Sequence, residues 1–182
     1  MPAHAQTSTA AIVAAGRRLL EERGVDALTM RDVAEVVGVR APSLYKRVRD
    51  RADLFRLILT EVVDEMSDAI DAAANSGDPV ADLRALANTF RRFAHRNPVA
   101  HTLLFTPREV TGTPVESQRS TATLMRLVTE LVGSDDALPA ARTMVAWING
   151  FVTMELAGAF RLGGDVDVAW DFGLDRLLAA LR

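Results

Sequence analysis

Apolar side chains recur at three- and four-residue spacing through almost the whole chain, and no stretch alternates apolar and polar residues long enough to favour a strand. This period is typical of amphipathic helices packed around a core. Residues with helix-starting and helix-ending chemistry separate the apolar segments. The pattern predicts about nine helices joined by short connections, and therefore an all-α protein. No apolar run reaches the roughly 18 to 20 residues that a membrane span needs.

Residues with capping chemistry predict the limits of the first four helices. The third of these is predicted over about 41–48 and the fourth is long. Hydroxyl and carboxyl side chains cap helix starts, and glycine ends helices in a left-handed conformation. The predicted starts are Ser8 or Thr9, Thr29 and Asp50, and the predicted ends are Gly24 and Gly38.

Five more helices are predicted in the remainder of the chain, between segments that contain proline or glycine. Pro79 suits the first turn of the fifth helix, because that position needs no backbone N–H. The longest predicted loop is 106–114. The predicted breaks are 75–79, 97–98, 106–114, 133–139 and 163–165.

The segment from Leu28 to Val48 predicts two short helices that meet at a tight turn. Gly38 lies at the turn, Ala34 is small where the helices approach each other, and Leu44 and Val48 share one face of the second helix. The residues left pointing outward are Arg40, Pro42, Ser43, Tyr45, Lys46 and Arg47. This is the pattern of a helix-turn-helix whose second helix is polar and basic, as entry into a DNA major groove requires.

Charge is distributed unevenly along the chain, which has a net charge of −3. Residues 1–60 contain ten Lys and Arg against seven acidic residues, while the remainder contains eleven against seventeen. Six of the ten fall within 40–56. A basic segment on an acidic body is the electrostatic footprint of a nucleic-acid-binding protein, although a solvated charged face is an equal alternative from charge alone.

The chemistry of the helix-turn-helix suits contacts with DNA. Hydroxyl groups near helix N-termini and a phenolic O–H are suited to bind phosphate. Arg40 and Lys46 are long enough to contact the edges of guanine bases. Lys46 could equally contact a phosphate. Arg49 and Arg51 flank the next helix, where they are placed to hold the backbone. The predicted DNA-binding residues are Thr29, Arg31, Arg40, Ala41, Pro42, Ser43, Tyr45, Lys46, Arg47 and Arg51.

Residues 8–58 resemble the TetR family of bacterial repressors. The resemblance is carried by 28–31, 33–34, 38–39, 44–45 and the basic loop into 53–54. Arg47 and Ala52 depart from the usual His and Glu of the family. The resemblance implies an N-terminal three-helix DNA-binding domain, over 8–55, and a C-terminal ligand-binding and dimerisation bundle, over 56–182.

The segment 146–158 resembles the Trp-x-x-His-Gly pattern of one TetR C-terminal class, with Asn149 in place of the residue for which that class is named. This resemblance implies that helices five to seven enclose a ligand cavity and that the last two helices form a homodimer. Core packing is the default interpretation of each aromatic or Met side chain taken alone. The predicted ligand-binding residues are Phe90, Phe93, Phe105, Met125, Trp147 and Phe151.

Several other sites are weighed and set aside. His95 and His101 lack a third ligand at a plausible spacing, so no metal is predicted. Asp64, Asp68 and Asp71 share a helix face, which favours a solvated acidic stripe. Glu155 lies in an apolar helix, where pairing with Arg142 or Arg161 is favoured over a contact across a dimer or with a cationic ligand.

An enzyme is not expected, because the chain has no cysteine, no Gly-x-Ser-x-Gly elbow and no phosphate-binding loop. No cofactor is predicted. We expect a cytoplasmic repressor that leaves a palindromic operator when an apolar or amphipathic small molecule binds. The alternatives are a DNA-binding activator or architectural protein without a ligand and, more remotely, a helical enzyme.

Overall fold

The computed structural model describes residues 8–26, 28–105 and 118–181. Within these ranges the chain forms nine α-helices and no strand, which confirms the all-α prediction. Their bounds are α1 Thr9–Arg23, α2 Met30–Val37, α3 Ala41–Leu44, α4 Arg51–Ala73, α5 Pro79–Arg96, α6 Pro98–Leu104, α7 Gln118–Val132, α8 Ser134–Leu156 and α9 Val166–Ala180. Among the described helices, none is both long and apolar enough to cross a bilayer. The predicted loop 106–114 lies outside the described residues.

Local capping chemistry sets the helix ends as the sequence predicts. The Ser8 hydroxyl accepts the Ala11 amide at 3.1 Å, which identifies Ser8 as the cap of α1. The Asp50 carboxylate accepts the amide of Asp53 at 2.8 Å where α4 begins. These side chains satisfy amides that have no partner inside their own helix.

Two predicted boundaries are wrong. α3 ends at Leu44 and not near Val48, since the chain tightens there and the Arg47 amide donates to the Leu44 carbonyl at 2.8 Å. The predicted break 133–139 is mostly helical, because α8 begins directly after Gly133 and contains Pro139. Aspartates in the first turn of α8 favour this early start, because their negative charge interacts favourably with the positive end of the helix dipole.

The described chain forms two compact units, made of residues 8–63 with 97–105 and of residues 64–96 with 118–181. We call them the head unit and the body unit. α4 begins in the head unit and ends in the body unit. The predicted boundary between 55 and 56 therefore falls inside one continuous helix. In the head unit α1, α2, α3 and the first part of α4 enclose a core of fully buried aliphatic side chains: Ile12, Leu20, Val33, Leu44, Leu54 and Ile58.

An aromatic cluster forms part of the core of the body unit. The ring of Trp147 on α8 lies 5.1 Å from that of Trp170 on α9, and Phe151 lies 5.2 Å from Trp170. A Cβ atom at Gly173 would come within 2.3 Å of the Trp147 ring, so α9 passes α8 at a distance that only glycine allows. α8 and α9 therefore form a tightly packed pair.

Asp53 stabilises the start of α4, and its removal should destabilise the head unit. It accepts hydrogen bonds from the Arg49 amide at 3.0 Å and from the Arg56 guanidinium at 2.8 Å. The bond from the Arg49 amide has the largest effect and the bond from Arg56 the next largest, and together they lower the pKa of Asp53 to about 2. Asp53→Asn should lower the free energy of unfolding by about 1 to 2 kcal/mol at pH 7.

The sign of the pH dependence follows from that lowered pKa. A carboxylate whose pKa is depressed on folding stabilises the protein above its unfolded pKa, and that stability is lost as the pH falls through the folded value. The difference in the free energy of unfolding between wild type and Asp53→Asn should be constant above about pH 5 and should decrease toward pH 3. Urea unfolding at pH 7 and pH 3 measures it, and an equal difference at both pH values would contradict the assignment.

Candidate DNA-binding site and effector pocket

The helix-turn-helix predicted over 28–48 is present in the head unit. Gly38 adopts a left-handed conformation with φ of 76°, and the amide of Val39 donates to the Ala34 carbonyl at 2.9 Å across the turn. Ala34 and Leu44 are buried where α2 and α3 meet, as predicted. The turn therefore fixes the angle between the two helices, and the other face of α3 is left to solvent.

Four cationic side chains project from this motif without an acidic partner. Arg31, Arg40, Lys46 and Arg47 are all exposed, and none has a carboxylate within 4 Å in the part of the chain that the structure describes. By contrast, Arg17 and Arg56 in the same unit each lie beside an acidic side chain. The motif therefore presents positive charge that is available to an anionic partner.

Four more of the predicted DNA-binding residues lie on α3 or directly after it. Tyr45 follows α3 directly and is 53% exposed. Pro42 is exposed, and Ala41 and Ser43 are half-buried. The phenol of Tyr45 is accessible to a phosphate.

Two predicted DNA-binding side chains are engaged inside the head unit. The guanidinium of Arg51 donates to the carbonyls of Leu28 at 2.8 Å and Val25 at 2.5 Å, and it lies 4.7 Å from the centre of the Phe55 ring. The Thr29 hydroxyl caps α2 by accepting the Asp32 amide at 3.2 Å. Both side chains hold the motif together, and any phosphate contact by them would be additional to that role.

A contact between α1 and α6 escapes sequence analysis. Both carboxylate oxygens of Glu21 accept amides at the start of α6, from Val99 at 3.0 Å and Ala100 at 2.9 Å. Arg17 donates to the Asn97 side chain at 2.7 Å beside it. Asn97 provides no side-chain cap to α6, so the capping group comes from a residue 78 positions away and leaves no local pattern. α6 is therefore tied to α1, the first helix of the head unit.

A surface pocket of about 300 Å³ opens between α4 and α5 in the body unit. Its described lining residues are Ala69, Ala72, Ala73, Thr89, Arg92, Phe93 and Arg96. Of the six predicted ligand-binding residues, only Phe93 lines it. A wider cleft of about 490 Å³ near the end of α9 has no aromatic lining among the described residues.

The other five predicted ligand-binding residues lie elsewhere. Trp147 and Phe151 pack in the aromatic cluster, because Trp170 and Phe160 provide ring partners that the spacing along α8 does not reveal. Phe105 belongs to the head unit, where its ring lies 5.2 Å from His101. Phe90 and Met125 are half-buried and line neither of these cavities.

Glu155 pairs with partners other than those predicted. It accepts two hydrogen bonds from Arg91 and lies 3.0 Å from the His95 imidazole, so the prediction of Arg142 or Arg161 is wrong. The Arg91 bonds hold the pKa of Glu155 below its usual value. The partners are on α5, far from Glu155 in sequence, and no spacing rule reaches them. Within the described ranges no group of His, Asp and Glu is arranged to hold a metal ion.

Comparison with known proteins decides the family. The model of bacterial regulatory proteins of the tetR family matches residues 12–58, and the tetracyclin repressor-like C-terminal domain matches residues 83–177. The chain belongs to the TetR family. It is therefore a DNA-binding transcriptional regulator and not an enzyme, as the sequence predicts. The C-terminal match includes the segment 146–158, which we compared above with the Trp-x-x-His-Gly class.

Three similar proteins illustrate the TetR assignment. The transcriptional regulator TtgR of Pseudomonas putida is 30% identical over 98% of this chain and 96% of its own length. A Rhodococcus structure of unknown function has a TM-score of 0.81 at 24% identity, over 99% of this chain and 98% of that one. A TetR variant from Acinetobacter baumannii in complex with minocycline has a TM-score of 0.71 at 23% identity and covers 96% of both chains. The two structures support the fold.

Proposed function

We propose that the chain is a homodimeric repressor that binds a palindromic operator and is released by a small molecule. The observation that carries the proposal is the unpaired cationic surface of the helix-turn-helix. Arg40, Lys46 and Tyr45 are exposed on or beside α3, the position from which a recognition helix contacts base edges and phosphates. Two such heads in a dimer match two half-sites of a palindrome.

Exposed apolar side chains on α8 and α9 support the dimer. On α9, Trp170, Leu174 and Leu178 are buried inside the body unit, whereas Val168 and Phe172 are 65% and 62% exposed. On α8, Leu138 and Val145 are also exposed. An exposed apolar face of this kind marks an interaction surface. We assign it to an isologous four-helix interface of α8 and α9 with their two-fold mates.

The pocket between α4 and α5 is the proposed effector site. Its α4 wall is made of Ala69, Ala72 and Ala73, and the same helix begins in the head unit beside the DNA-binding motif. A ligand that shifts α4 would therefore act on the helix that leads into the DNA-binding motif. The related TetR variant that binds minocycline supports a small-molecule effector for this chain. A coupling free energy of about 1 to 3 kcal/mol between effector binding and operator binding is sufficient for such a switch.

Selection of duplexes from a random pool by the purified protein tests the operator proposal. We expect an enriched palindromic sequence, and reporter expression behind that sequence should fall when the protein is produced. A rise in expression would identify an activator instead. Failure to enrich any sequence over the starting pool would overturn the proposal.

Operator affinity should fall steeply with salt. Each phosphate neutralised contributes a slope of roughly −0.9 in log K against log[salt]. The four unpaired cations of each helix-turn-helix are Arg31, Arg40, Lys46 and Arg47. If most of them contact phosphate in both heads, the slope should lie between about −4 and −7. Fluorescence anisotropy across a salt series measures it, and a slope near zero would be incompatible with this surface binding DNA.

A further inference from the structure

The pocket between α4 and α5 has an unbalanced positive charge. Arg92 and Arg96 are four residues apart on α5, so both guanidinium groups emerge on the face of the helix that lines the pocket. Both side chains are exposed, and neither has a carboxylate within 4 Å among the described residues. The neighbouring Arg91 differs, since it is paired with Glu155 and Asp167.

One of the two guanidinium groups is held in place at the pocket. Arg92 donates to the hydroxyl oxygen of Thr89 at 2.8 Å, and Thr89 itself is buried. Arginine has five N–H donors, so this contact leaves most of them available. A guanidinium fixed by one bond and facing an open pocket is suited to bind a planar oxyanion through two parallel bonds.

The rest of the pocket wall is apolar. Phe93 is buried, and the methyl groups of Ala69, Ala72 and Ala73 form the opposite side. A volume of about 300 Å³ lies at the lower end of the range of roughly 300 to 1,000 Å³ that is typical of ligand pockets. The wall suits a compact apolar group, and the two arginines suit one negative charge at its end.

We infer that the effector is a small organic carboxylate, whose charged end binds Arg92 and Arg96 and whose apolar part lies against Phe93 and the alanines. The inference rests on the proposed function and narrows it to one class of ligand. It also explains why Arg92 and Arg96 have no acidic partner within the described ranges, although Arg91, in the same part of α5, is paired with Glu155 and Asp167.

Matched carboxylate and amide pairs test the inference. Benzoate and benzamide, 2-naphthoate and 2-naphthamide, and octanoate and octanamide each differ mainly in charge. By calorimetry at pH 7, at least one carboxylate should bind wild type about tenfold or more tighter than its amide, because charge-assisted bonds to arginine are lost in the amide. The double variant Arg92→Gln/Arg96→Gln should lose that preference.

Two control variants separate a specific site from general surface charge. Arg92→Lys/Arg96→Lys keeps the charge and should retain part of the preference. Arg126→Gln removes another exposed arginine of the body unit, one that does not line the pocket, and should leave the preference intact. The unfolding midpoint of each variant, measured in parallel, shows whether it is folded.

Two results would overturn the inference. One is that no carboxylate binds wild type more tightly than its amide, and the other is that the preference survives in the glutamine double variant. Operator release, measured with the same compounds, distinguishes this failure from failure of the proposed function. Release by the neutral amides alone would leave a ligand-responsive repressor and reject a carboxylate effector, whereas absence of operator binding would reject the repressor itself.

Discussion

Phe172→Asp should convert the proposed dimer to a monomer and lower operator affinity by about 100-fold or more. Phe172 is 62% exposed on α9, one turn from Val168 on the same face of the helix. The guanidinium of Arg176 lies 5.2 Å from its ring centre. A carboxylate here would lose the apolar contact and would be buried in the proposed interface, at a desolvation cost that pairing with Arg176 offsets only in part. Separated heads lose the effective concentration that links the two half-sites, which is commonly worth about 10²- to 10⁴-fold.

Phe172→Leu is the matched control, because it keeps an apolar side chain at the same place. It should remain dimeric and bind operator nearly as wild type does. Sedimentation velocity at micromolar concentration measures the oligomer, and anisotropy on the selected duplex measures affinity. A Phe172→Asp protein that still sediments as a dimer would place the interface elsewhere, since the side chain is exposed in the single chain and its loss leaves the core intact.

Substitutions in the recognition segment should have the second largest effect. Lys46→Ala should cost about 1 to 3 kcal/mol per half-site and relax the preference at one base pair if Lys46 contacts a base, or weaken all sequences and reduce the salt slope if it contacts a phosphate. Tyr45→Phe removes a predicted phosphate contact, so it should weaken operator and scrambled DNA by similar factors. Neither change should lower the unfolding midpoint, because both polar groups are exposed.

Arg18→Ala provides the control for general loss of charge. Arg18 is an exposed arginine of the same head, but it lies on α1 with its guanidinium 3.7 Å from Glu22. Its removal should change operator affinity far less than Lys46→Ala does. Binding isotherms on operator and scrambled duplexes compare the three variants. Wild-type affinity in both Lys46→Ala and Tyr45→Phe would mean that the recognition helix is wrongly assigned.

The parts of the structure that sequence predicts well depend on neighbours along the chain. Caps such as Ser8 and Asp50 act within three residues, and the left-handed turn at Gly38 is a property of one residue. Leu44 is buried and Tyr45 is exposed because consecutive residues at a helix end point in different directions. For this reason the DNA-binding motif could be located without a structure.

The pocket proposed for the effector could not be predicted in the same way, because its features depend on residues far apart in sequence. Trp147 and Phe151 were expected at a ligand, but Trp170 on another helix packs against them. In the sequence, nothing distinguishes Arg92 and Arg96 from other exposed arginines. They line a pocket only because Ala69 and Ala73 of α4 form its opposite wall. The partner of Glu155 is likewise 64 positions away, on α5. Side-chain chemistry indicates which residues can bind a ligand, and tertiary packing decides which of them line a cavity.

Methylation interference on the selected duplex tests most directly the claim that α3 reads DNA as one of a symmetric pair. Methyl groups at guanine N7 occupy the major groove, whereas those at adenine N3 occupy the minor groove. We predict interference at guanine N7 in two symmetric patches, separated by about one helical turn of 10 to 10.5 base pairs or a multiple of it. A single patch, or interference confined to adenine N3, would contradict a dimer that places two copies of α3 in successive major grooves.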